Sequence, residues 1–260
     1  VGTITTSPLV FGGNTAAMST QFDPVGAGTS SISITQPSGF SIPTQYQSIT
    51  ATVTKPSITV YDTTVGADLQ VSSTCNLGAA PATPVDVTLT VTSASTATIS
   101  KDVNTEGSDT VTFNNVSSTG NLTYYVQGRA VGSTTITISA AGFNDASKTI
   151  TVNPSGFVIY SPSSISTTTL SSNIDVMVKS ARLHPTTKAI VNYEVLRAGK
   201  SGVQVPVTCA DTSVGTITAS PLVFNAGVGF LTTQFHPVGP GPSTVSITQP
   251  SGFTIPSTGQ

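Results

Sequence analysis

Hydrophobic and polar residues alternate along most of the chain with the period of two that is typical of β-strands. In Val85–Val91 every second residue is Val or Leu. Thr135–Ile138 and Thr149–Val152 place Ile or Val on one face and Thr on the other. Thr keeps the β-branch that suits a pleated surface and offers a hydroxyl to water. No long stretch has a 3.6-residue period, so the pattern predicts an all-β protein.

Glycine and proline separate these runs at about the 8–12-residue spacing that is typical of β-sandwich strands. Examples are Gly26–Gly28 and Pro240–Pro242. Two further runs, Ala189–Leu196 and Gly202–Thr208, flank the glycine-containing segment Arg197–Ser201. This arrangement predicts a β-hairpin whose loop is that segment.

The sequence contains a long internal repeat. Val1–Thr44 aligns without a gap with Val214–Ser257, 28 of the 44 positions are identical, and the offset is 213 residues. A unit of that length is about twice the size of a small β-sandwich of roughly 100 residues. Within the unit, Gly132–Ser139 aligns with Gly241–Thr248. The chain therefore is predicted to alternate two related types of domain.

The repeat predicts three domains. Residues 1–54 form the second half of a domain, residues 55–153 a complete domain, and residues 154–260 a domain without its last strand, the strand that Ser48–Val53 forms in the first copy. Incomplete sandwiches leave apolar faces and strand edges open. Either the chain is cut from a longer tandem array, or another chain completes it through the open regions Val1–Val53 and Thr254–Gln260.

The composition narrows the class of protein. Ser and Thr make up 81 of 260 residues, charged residues are only 8%, and the formal net charge is −2. Nine scattered Lys and Arg cannot form the basic stripe that nucleic acid requires. No apolar run approaches the ~18 residues of a membrane span. The chain begins with Val1 and no signal peptide is recognisable, which indicates a processed chain or a piece of a longer one.

Four segments resemble bacterial immunoglobulin-like families found in surface adhesins of the invasin and intimin kind. Ser201–Thr208 and Asp211–Ile217 resemble the central strands of those domains, and Thr92–Ser100 and Ala130–Ile138 resemble the related group-2 domains. The resemblance implies tandem immunoglobulin-like β-sandwiches arranged as a rod, in adhesins, fibres, S-layer-associated proteins or accessory modules of secreted enzymes. It carries over no catalytic residue.

The residues that could support catalysis do not form a recognisable site. Gly199–Ser201 resembles the end of a phosphate-binding loop, but Glu194 stands where that loop needs its first glycine. The only histidines, His184 and His236, both precede Pro in predicted loops, whereas a zinc site needs three or four ligands. Glu106 is the only other glutamate. The sequence therefore predicts no enzyme, no cofactor and no metal centre.

Several single residues have a structural interpretation. Cys75 and Cys209 are in phase with apolar neighbours in different domains, so both are predicted to be inward-facing free thiols. Lys179 is the candidate for a Lys–Asn isopeptide bond, which also needs a nearby acid. Tyr61 and Tyr160 follow prolines at the domain entries and are predicted to pack at the domain junctions.

Two kinds of surface chemistry stay open. Asp62, Asp68 and Asn144–Asp145 lie near predicted junctions, where carboxylates can bind calcium, although ordinary turns use the same residues. Asn115 and Asn121 begin N-glycosylation sequons, which matter only in an organism that glycosylates its surface proteins.

Together these features predict a structural subunit or segment of an extracellular or cell-surface fibre, built from tandem immunoglobulin-like domains and joined head to tail by strand complementation. Its predicted partners are copies of itself, with no nucleic acid and no membrane span. The alternative is an adhesin stalk or a carbohydrate-binding accessory module of a secreted protein, with glycans or a host surface as partner. The absence of Trp and the presence of only six Tyr disfavour the carbohydrate-binding version.

Overall fold

The computed structural model describes all 260 residues, and the chain is all-β, as predicted. Its sheets pack as immunoglobulin-like sandwiches. It has no helix long and apolar enough to cross a membrane. We call residues 1–54 the first segment, residues 55–153 the middle sandwich and residues 154–260 the last sandwich.

The first segment and the middle sandwich contain thirteen strands. Those of the first segment are β1 (Gly2–Ile4), β2 (Phe22–Pro24), β3 (Gly28–Ser33) and β4 (Ser48–Val53). Those of the middle sandwich are β5 (Ile58–Val60), β6 (Thr63–Gly66), β7 (Leu69–Leu77), β8 (Val85–Val91), β9 (Ala97–Ser100), β10 (Thr110–Val116), β11 (Leu122–Gly128), β12 (Gly132–Ala140) and β13 (Ala146–Asn153).

The last sandwich contains ten strands of varied length. They are β14 (Ser155–Ser161), β15 (Ile174–Leu183), β16 (Ile190–Tyr193), β17 (Val195–Leu196), β18 (Val203–Val205), β19 (Val207–Cys209), β20 (Gly215–Ile217), β21 (Leu222–Phe224), β22 (Phe230–Pro237) and β23 (Val245–Ile247).

The middle sandwich has two facing sheets. One has the order β10-β8-β12-β13-β6, in which β6 is parallel to β13. The other contains β7, β11 and β9, with β5 paired to β7. The predicted alternation is confirmed in β8, where Val87, Leu89 and Val91 are buried and the Thr residues between them are not. Burial of these aliphatic side chains is the main source of stability.

The last sandwich packs one sheet, β14-β15-β22-β20, against two short strand pairs, β18-β21 and β19-β23. Three aromatic rings fill the space between the layers. The Phe157 ring lies 4.7 Å from that of Phe224 and 4.8 Å from that of Phe253, centroid to centroid, in tilted geometry. Such pairs add to the stability that burial supplies.

The predicted hairpin around Arg197–Ser201 is wrong. Its two arms do not pair with each other, because β16 pairs with β15, β18 with β21 and β19 with β23. The short strand β17 leaves the last sandwich and pairs with β7 of the middle sandwich, with Val195 opposite Gln70 and Leu196 opposite Leu69. A local pattern of strand, glycine and strand could not reveal this distant partner.

The first segment has no core. Its strands form two separate pairs, β1-β2 and β3-β4. None of its residues is buried. Its hydrogen bonds all stay within the segment, and none reaches the middle or last sandwich.

The repeat thus places the same residue in two environments. Phe11 is 57% exposed, whereas Phe224, its equivalent in the last sandwich, is completely buried. Ile34 is 62% exposed and its equivalent Ile247 only 7%. The difference is caused by Phe157 and its neighbours, which cover the repeated segment only in the last sandwich.

We therefore expect the two equivalent phenylalanines to differ in their contribution to stability. Phe224→Ala should lower the free energy of unfolding of the last sandwich by about 3–5 kcal/mol, because it leaves a cavity between the layers. Phe11→Ala should change it by less than about 0.5 kcal/mol, because the ring is exposed. Urea denaturation followed by circular dichroism measures both. Equal effects of the two substitutions would contradict the environments described above.

Candidate functional site: the junction of the two sandwiches

The buried carboxylate of Glu194 bridges the two sandwiches. Glu194 lies between β16 and β17, and its Oε1 accepts a 2.7 Å hydrogen bond from Nε of Arg182 in the last sandwich. Its Oε2 accepts a 2.8 Å hydrogen bond from the backbone N–H of Gly66 in the middle sandwich. Because an unpaired buried charge is costly, these two donors fix the position of one sandwich against the other.

Arg197 makes a second bridge at the end of β17. Its guanidinium donates to Oδ1 of Asp68 at 3.1 Å, and its backbone N–H donates to the Asp68 carbonyl at 3.0 Å. The ammonium of Lys200 binds Oδ2 of the same carboxylate at 2.8 Å. Asp68 has a φ of +58°, a left-handed conformation that Asp tolerates better than most residues. The turn between β6 and β7 therefore presents one carboxylate to two cations of the last sandwich.

A buried pair of glutamines supports this turn from the middle sandwich. Gln127 Nε2 donates to Oε1 of Gln70 at 3.2 Å, and the same Gln70 oxygen accepts the backbone N–H of Ala198 at 3.1 Å. Gln127 Oε1 accepts the N–H of Gly107 at 2.8 Å, which holds the loop that carries Glu106. Glu106 in turn lies 3.7 Å from Arg197. Buried amides whose partners are all present make the junction rigid.

The two backbones also approach closely at this point. A Cβ atom on Gly66 would lie 2.6 Å from Cδ1 of Leu69 and 3.2 Å from Cβ of Ser155. The Ser155 hydroxyl donates to the carbonyl of Ala67. Leu196 and Phe157 of the last sandwich belong to the same apolar cluster as Leu69. The hydrophobic core is thus continuous from one sandwich to the other.

The junction concentrates the strongest charge interactions of a charge-poor chain. All three arginines and both glutamates lie in it or directly beside it, and they are Arg129, Arg182, Arg197, Glu106 and Glu194. All five ion pairs of the structure belong to this cluster.

The environment shifts the pKa values of the two glutamates in opposite directions. Burial raises the pKa of Glu194, and its hydrogen bonds to Gly66 and Arg182 only partly offset that effect. Glu106 is exposed, and its hydrogen bond and charge attraction to Arg129 lower its pKa. The junction therefore contains one carboxylate that resists ionisation and one that favours it.

The other predicted candidates lie in structural positions. Gly199–Ser201 belongs to the loop at the junction. Its Lys200 ammonium pairs with the Asp68 carboxylate and does not form part of a phosphate-binding loop. The Asp62 carboxylate accepts the backbone N–H of Thr149 at 2.8 Å. The Asn144 amide donates to the carbonyl of Lys55 at 3.0 Å. No group of three or more His, Cys, Asp or Glu side chains is placed to hold a metal ion.

The histidines and cysteines are placed separately. His184 Nδ1 accepts the N–H groups of the turn that follows it, and His236 Nδ1 lies 2.8 Å from the side-chain oxygen of Asn173. Both thiols are free. Cys75 is buried, and burial raises its pKa to about 11, whereas Cys209 is half-buried with its sulfur 3.1 Å from the Ser243 hydroxyl.

The prediction that Tyr61 and Tyr160 pack at the domain junctions is wrong. Both rings are exposed. Tyr160 packs edge-on against Tyr193 of the same sandwich, with 5.3 Å between centroids, and the Lys179 ammonium lies 3.5 Å from the centre of the Tyr160 ring. The contact between the middle and last sandwiches is made by β17 and not by the tyrosines.

Asn115 and Asn121 are exposed, and their glycosylation stays a prediction.

The sequence alone suggests other roles for Glu106, Glu194 and Asp68, and it gives no pairing role to Arg182, Arg197 or Gln70. One signal was available. Arg and Glu are so rare in this chain that their few positions were candidates for a shared structural role. The contacts between the two sandwiches could not be found, because Gly66 and Glu194, Asp68 and Arg197, and Gln70 and Ala198 are more than a hundred positions apart in sequence.

Comparisons with known proteins find distant similarities among solved structures only. No protein-family model and no curated protein matches the chain. Among solved structures, domains 5–6 of the S-layer protein SbsC are similar over 75% of this chain and 89% of theirs, with 20% identity and a TM-score of 0.31. Domains 4 and 5 of SbsC are similar over 50% and 68%, with 23% identity and a TM-score of 0.27.

The calcium-binding domain CBD12 of CALX1.1 is similar over 76% of this chain and 80% of its own, with 12% identity and a TM-score of 0.30. Because all these TM-scores are low, the assignment of the fold rests on the strand pairing described above. The resemblance to the bacterial immunoglobulin-like families of invasin and intimin stays a prediction.

Loss of the Arg197 guanidinium should weaken the junction. Arg197→Met keeps the apolar stem but leaves Asp68 with Lys200 alone, and we expect the free energy of unfolding to fall by about 2–3 kcal/mol. Lys148→Met is the matched control, because Lys148 is exposed and makes no ion pair, and it should have almost no effect. Differential scanning calorimetry of both variants checks this. An Arg197→Met protein as stable as the control would exclude a role for the pair.

The pH dependence of stability tests the state of Glu194. Because its pKa is raised in the folded state, the folded protein takes up a proton before the unfolded one as the pH falls towards 4.5. The wild type should therefore gain stability relative to Glu194→Gln over that range. Chemical denaturation of both proteins at a series of pH values measures the difference. If the wild type instead loses stability relative to the variant, the attraction of Arg182 outweighs burial.

Proposed function

We propose that the chain is a structural segment of an extracellular or cell-surface fibre built from tandem immunoglobulin-like domains, joined end to end by strand complementation. The observation that carries this proposal is the junction, in which β17 extends a sheet of the middle sandwich while the Arg197–Asp68 ion pair and the hydrogen bond from Gly66 to Glu194 hold the two domains in one orientation. Flexible linkers between domains leave orientation free, and a shared sheet removes that freedom. A fixed orientation repeated along a chain produces a stiff rod.

The repeat of 213 residues supports the same function. Each unit contains one domain of each type, so the same junction can recur in every unit of a longer assembly. The low charge outside the junction supports close lateral or end-to-end contact, because neighbouring rods would repel each other weakly. No catalytic constellation competes with this mechanical role, and we propose no enzymatic activity.

A carbohydrate-binding module has less support. Such a module needs an exposed aromatic platform, and the exposed pair Tyr160 and Tyr193 is arranged edge-on with the Lys179 ammonium over one ring. An adhesin stalk would use the same rigid rod and differs from a fibre only in what lies at its tip.

The stiffness of the junction is directly measurable. Nitrogen-15 NMR relaxation should give one rotational correlation time for the middle and last sandwiches of the wild type, because they share a sheet. Leu196→Asp places a charge in the buried strand β17 and should separate the two correlation times. Val191→Asp is the matched control, since Val191 is exposed on the neighbouring strand β16 and its substitution should leave one correlation time. Two independent correlation times in the wild type would contradict a rigid rod.

Two measurements on native material test the fibre itself. Electron micrographs should show fibres with an axial repeat of one or two sandwich lengths, and particles without such a repeat would contradict a fibre. Mass spectrometry of the native protein tests the mode of joining. A native chain that continues through both ends of this sequence would replace strand complementation by covalent tandem repetition.

A further inference from the structure

Strand β10 lies at the edge of its sheet in the middle sandwich. The sheet has the order β10-β8-β12-β13-β6, so β10 pairs with β8 alone. The seven residues Thr110–Val116 include no charged residue, no glycine and no proline, and five of them are β-branched or aromatic. A strand of this composition with an open edge is prone to pair with strands of other chains.

The ladder between β8 and β10 determines which backbone groups face the open side. The N–H of Val91 donates to the carbonyl of Asp109 at 2.8 Å, so Asp109 faces β8. Bonded positions alternate along an antiparallel pair. Thr110 and Thr112 therefore point their backbone groups away from β8, towards the side where another strand could add.

Two side chains already occupy the carbonyls on that side. The Lys101 ammonium, just after β9, donates to the Thr112 carbonyl at 2.8 Å. The Ser108 hydroxyl donates to the Thr110 carbonyl. The same ammonium lies 5.8 Å from the centre of the Phe113 ring, beside the apolar part of the edge. An added strand would have to displace both donors and remove the ammonium from water, which costs free energy.

The far end of β10 is closed by its backbone conformation. Asn115 has a φ of +56°, which is left-handed, and the pairing with β8 shifts register between Phe113 and Val116. The Asn115 N–H donates to Oδ1 of Asp86 at 3.0 Å. A bulge of this kind bends the strand and shortens the straight edge that is open to pairing.

The facing sheet is closed on the same side of the sandwich. Ile99 of β9 exchanges two backbone hydrogen bonds of 2.9 Å with Ser108. Gly107 lies so close to this strand that a Cβ atom would be 2.8 Å from the Ile99 carbonyl oxygen. Ser108 thus covers the edge of β9 with its backbone and part of the edge of β10 with its hydroxyl.

The loop Lys101–Ser108 is held by the two buried glutamines of the junction. Gln70 Nε2 donates to the Val103 carbonyl at 2.9 Å, and Gln127 Nε2 donates to the Thr105 carbonyl at 2.9 Å. These bonds fix the backbone on which the two donors stand. The closure of the edge is therefore built into the fold of the middle sandwich.

We propose that Lys101 and Ser108 close β10 against edge-to-edge pairing with β10 of a second copy of the chain. Without them, two copies would pair antiparallel about a two-fold axis, with Thr112 opposite its own equivalent and Thr110 opposite Asn114. This register pairs the three successive positions that alternate with those bonded to β8. The contact would join chains side by side, and its closure goes beyond the proposed function, since it acts in any chain that contains the middle sandwich.

A second copy is the partner because β10 suits its own pairing. The register brings Thr opposite Thr and Thr opposite Asn, side chains that form hydrogen bonds across strands, and it places no like charges opposite each other. The net charge of −2 opposes the approach of two copies only weakly. Lys101 is one of nine cations in the chain, and its charge stands at the edge that most needs it.

A double substitution that opens the edge tests the proposal. Lys101→Met with Ser108→Ala removes both donors and keeps the backbone bonds to Ile99. This variant should dimerise at least about tenfold more tightly than the wild type in sedimentation velocity experiments. Lys148→Met with Ser147→Ala is the matched control, because both residues are exposed in β13 and the change in composition and charge is the same. The control should associate no more than the wild type.

A third substitution locates the contact. In the opened variant, Thr112→Pro removes the outward N–H at the centre of the edge and no bond of the β8-β10 ladder. Association should fall to the level of the control, and circular dichroism checks that the protein remains folded. Hydrogen exchange gives the same information without this substitution. The Thr112 N–H of the opened variant should become more protected as its concentration rises.

An opened variant that associates no more than the control would overturn the proposal. Association that persists in a folded Thr112→Pro protein, or that leaves the exchange of the Thr112 N–H unchanged, would also overturn it, because another surface would then be responsible. None of these outcomes bears on the stiff rod, since the correlation times of the two sandwiches are measured within one copy.

Discussion

The pairing of β17 with β7 is the interaction on which the rest of the structure depends. Two residues, Val195 and Leu196, continue a sheet of the neighbouring domain, and their backbone bonds bring the side chains before and after them into the boundary. Glu194 then reaches Gly66, and Arg197 reaches Asp68. A boundary between two sandwiches becomes a continuous sheet and a continuous core. The pairing of β17 with β7 sets the relative position of the two sandwiches. Any other position would leave buried charged groups without partners, which costs free energy.

This arrangement explains how a chain with so few charges uses them. Thr and Ser hydroxyls make the strand faces compatible with water, so charge is not needed for solvation. The arginines and glutamates are concentrated at the junction, where the orientation of one sandwich relative to the other is set. The N–H donors of a guanidinium point in fixed directions, and a buried carboxylate has no water to accept hydrogen bonds from. All their hydrogen bonds can therefore form in only one relative geometry. Apolar contact alone would allow the sandwiches to slide against each other.

The repeated segment shows the limits of local sequence. The ten residues before Phe11 match those before Phe224 at all but one position, yet one ring is exposed and the other buried. Neither segment can bury its own apolar side chains, because half a sandwich supplies only one of the two faces that must meet. Phe157 supplies the second face in the last sandwich. Burial is therefore a property of the complete domain and not of the segment.

The sequence by itself determined the all-β class, the positions of inward-facing residues such as Val87 and Leu89, and the repeat that relates Gly28 to Gly241. These features follow from the period of a strand and from the conformations that glycine permits, both of which are local. Only the tertiary structure decided that Val195–Leu196 pairs with another domain instead of with the second arm of a hairpin, and that Glu194 is a bridge. The reason is that a strand edge bonds to any backbone of suitable direction, so the choice of partner depends on which edges the rest of the fold leaves open.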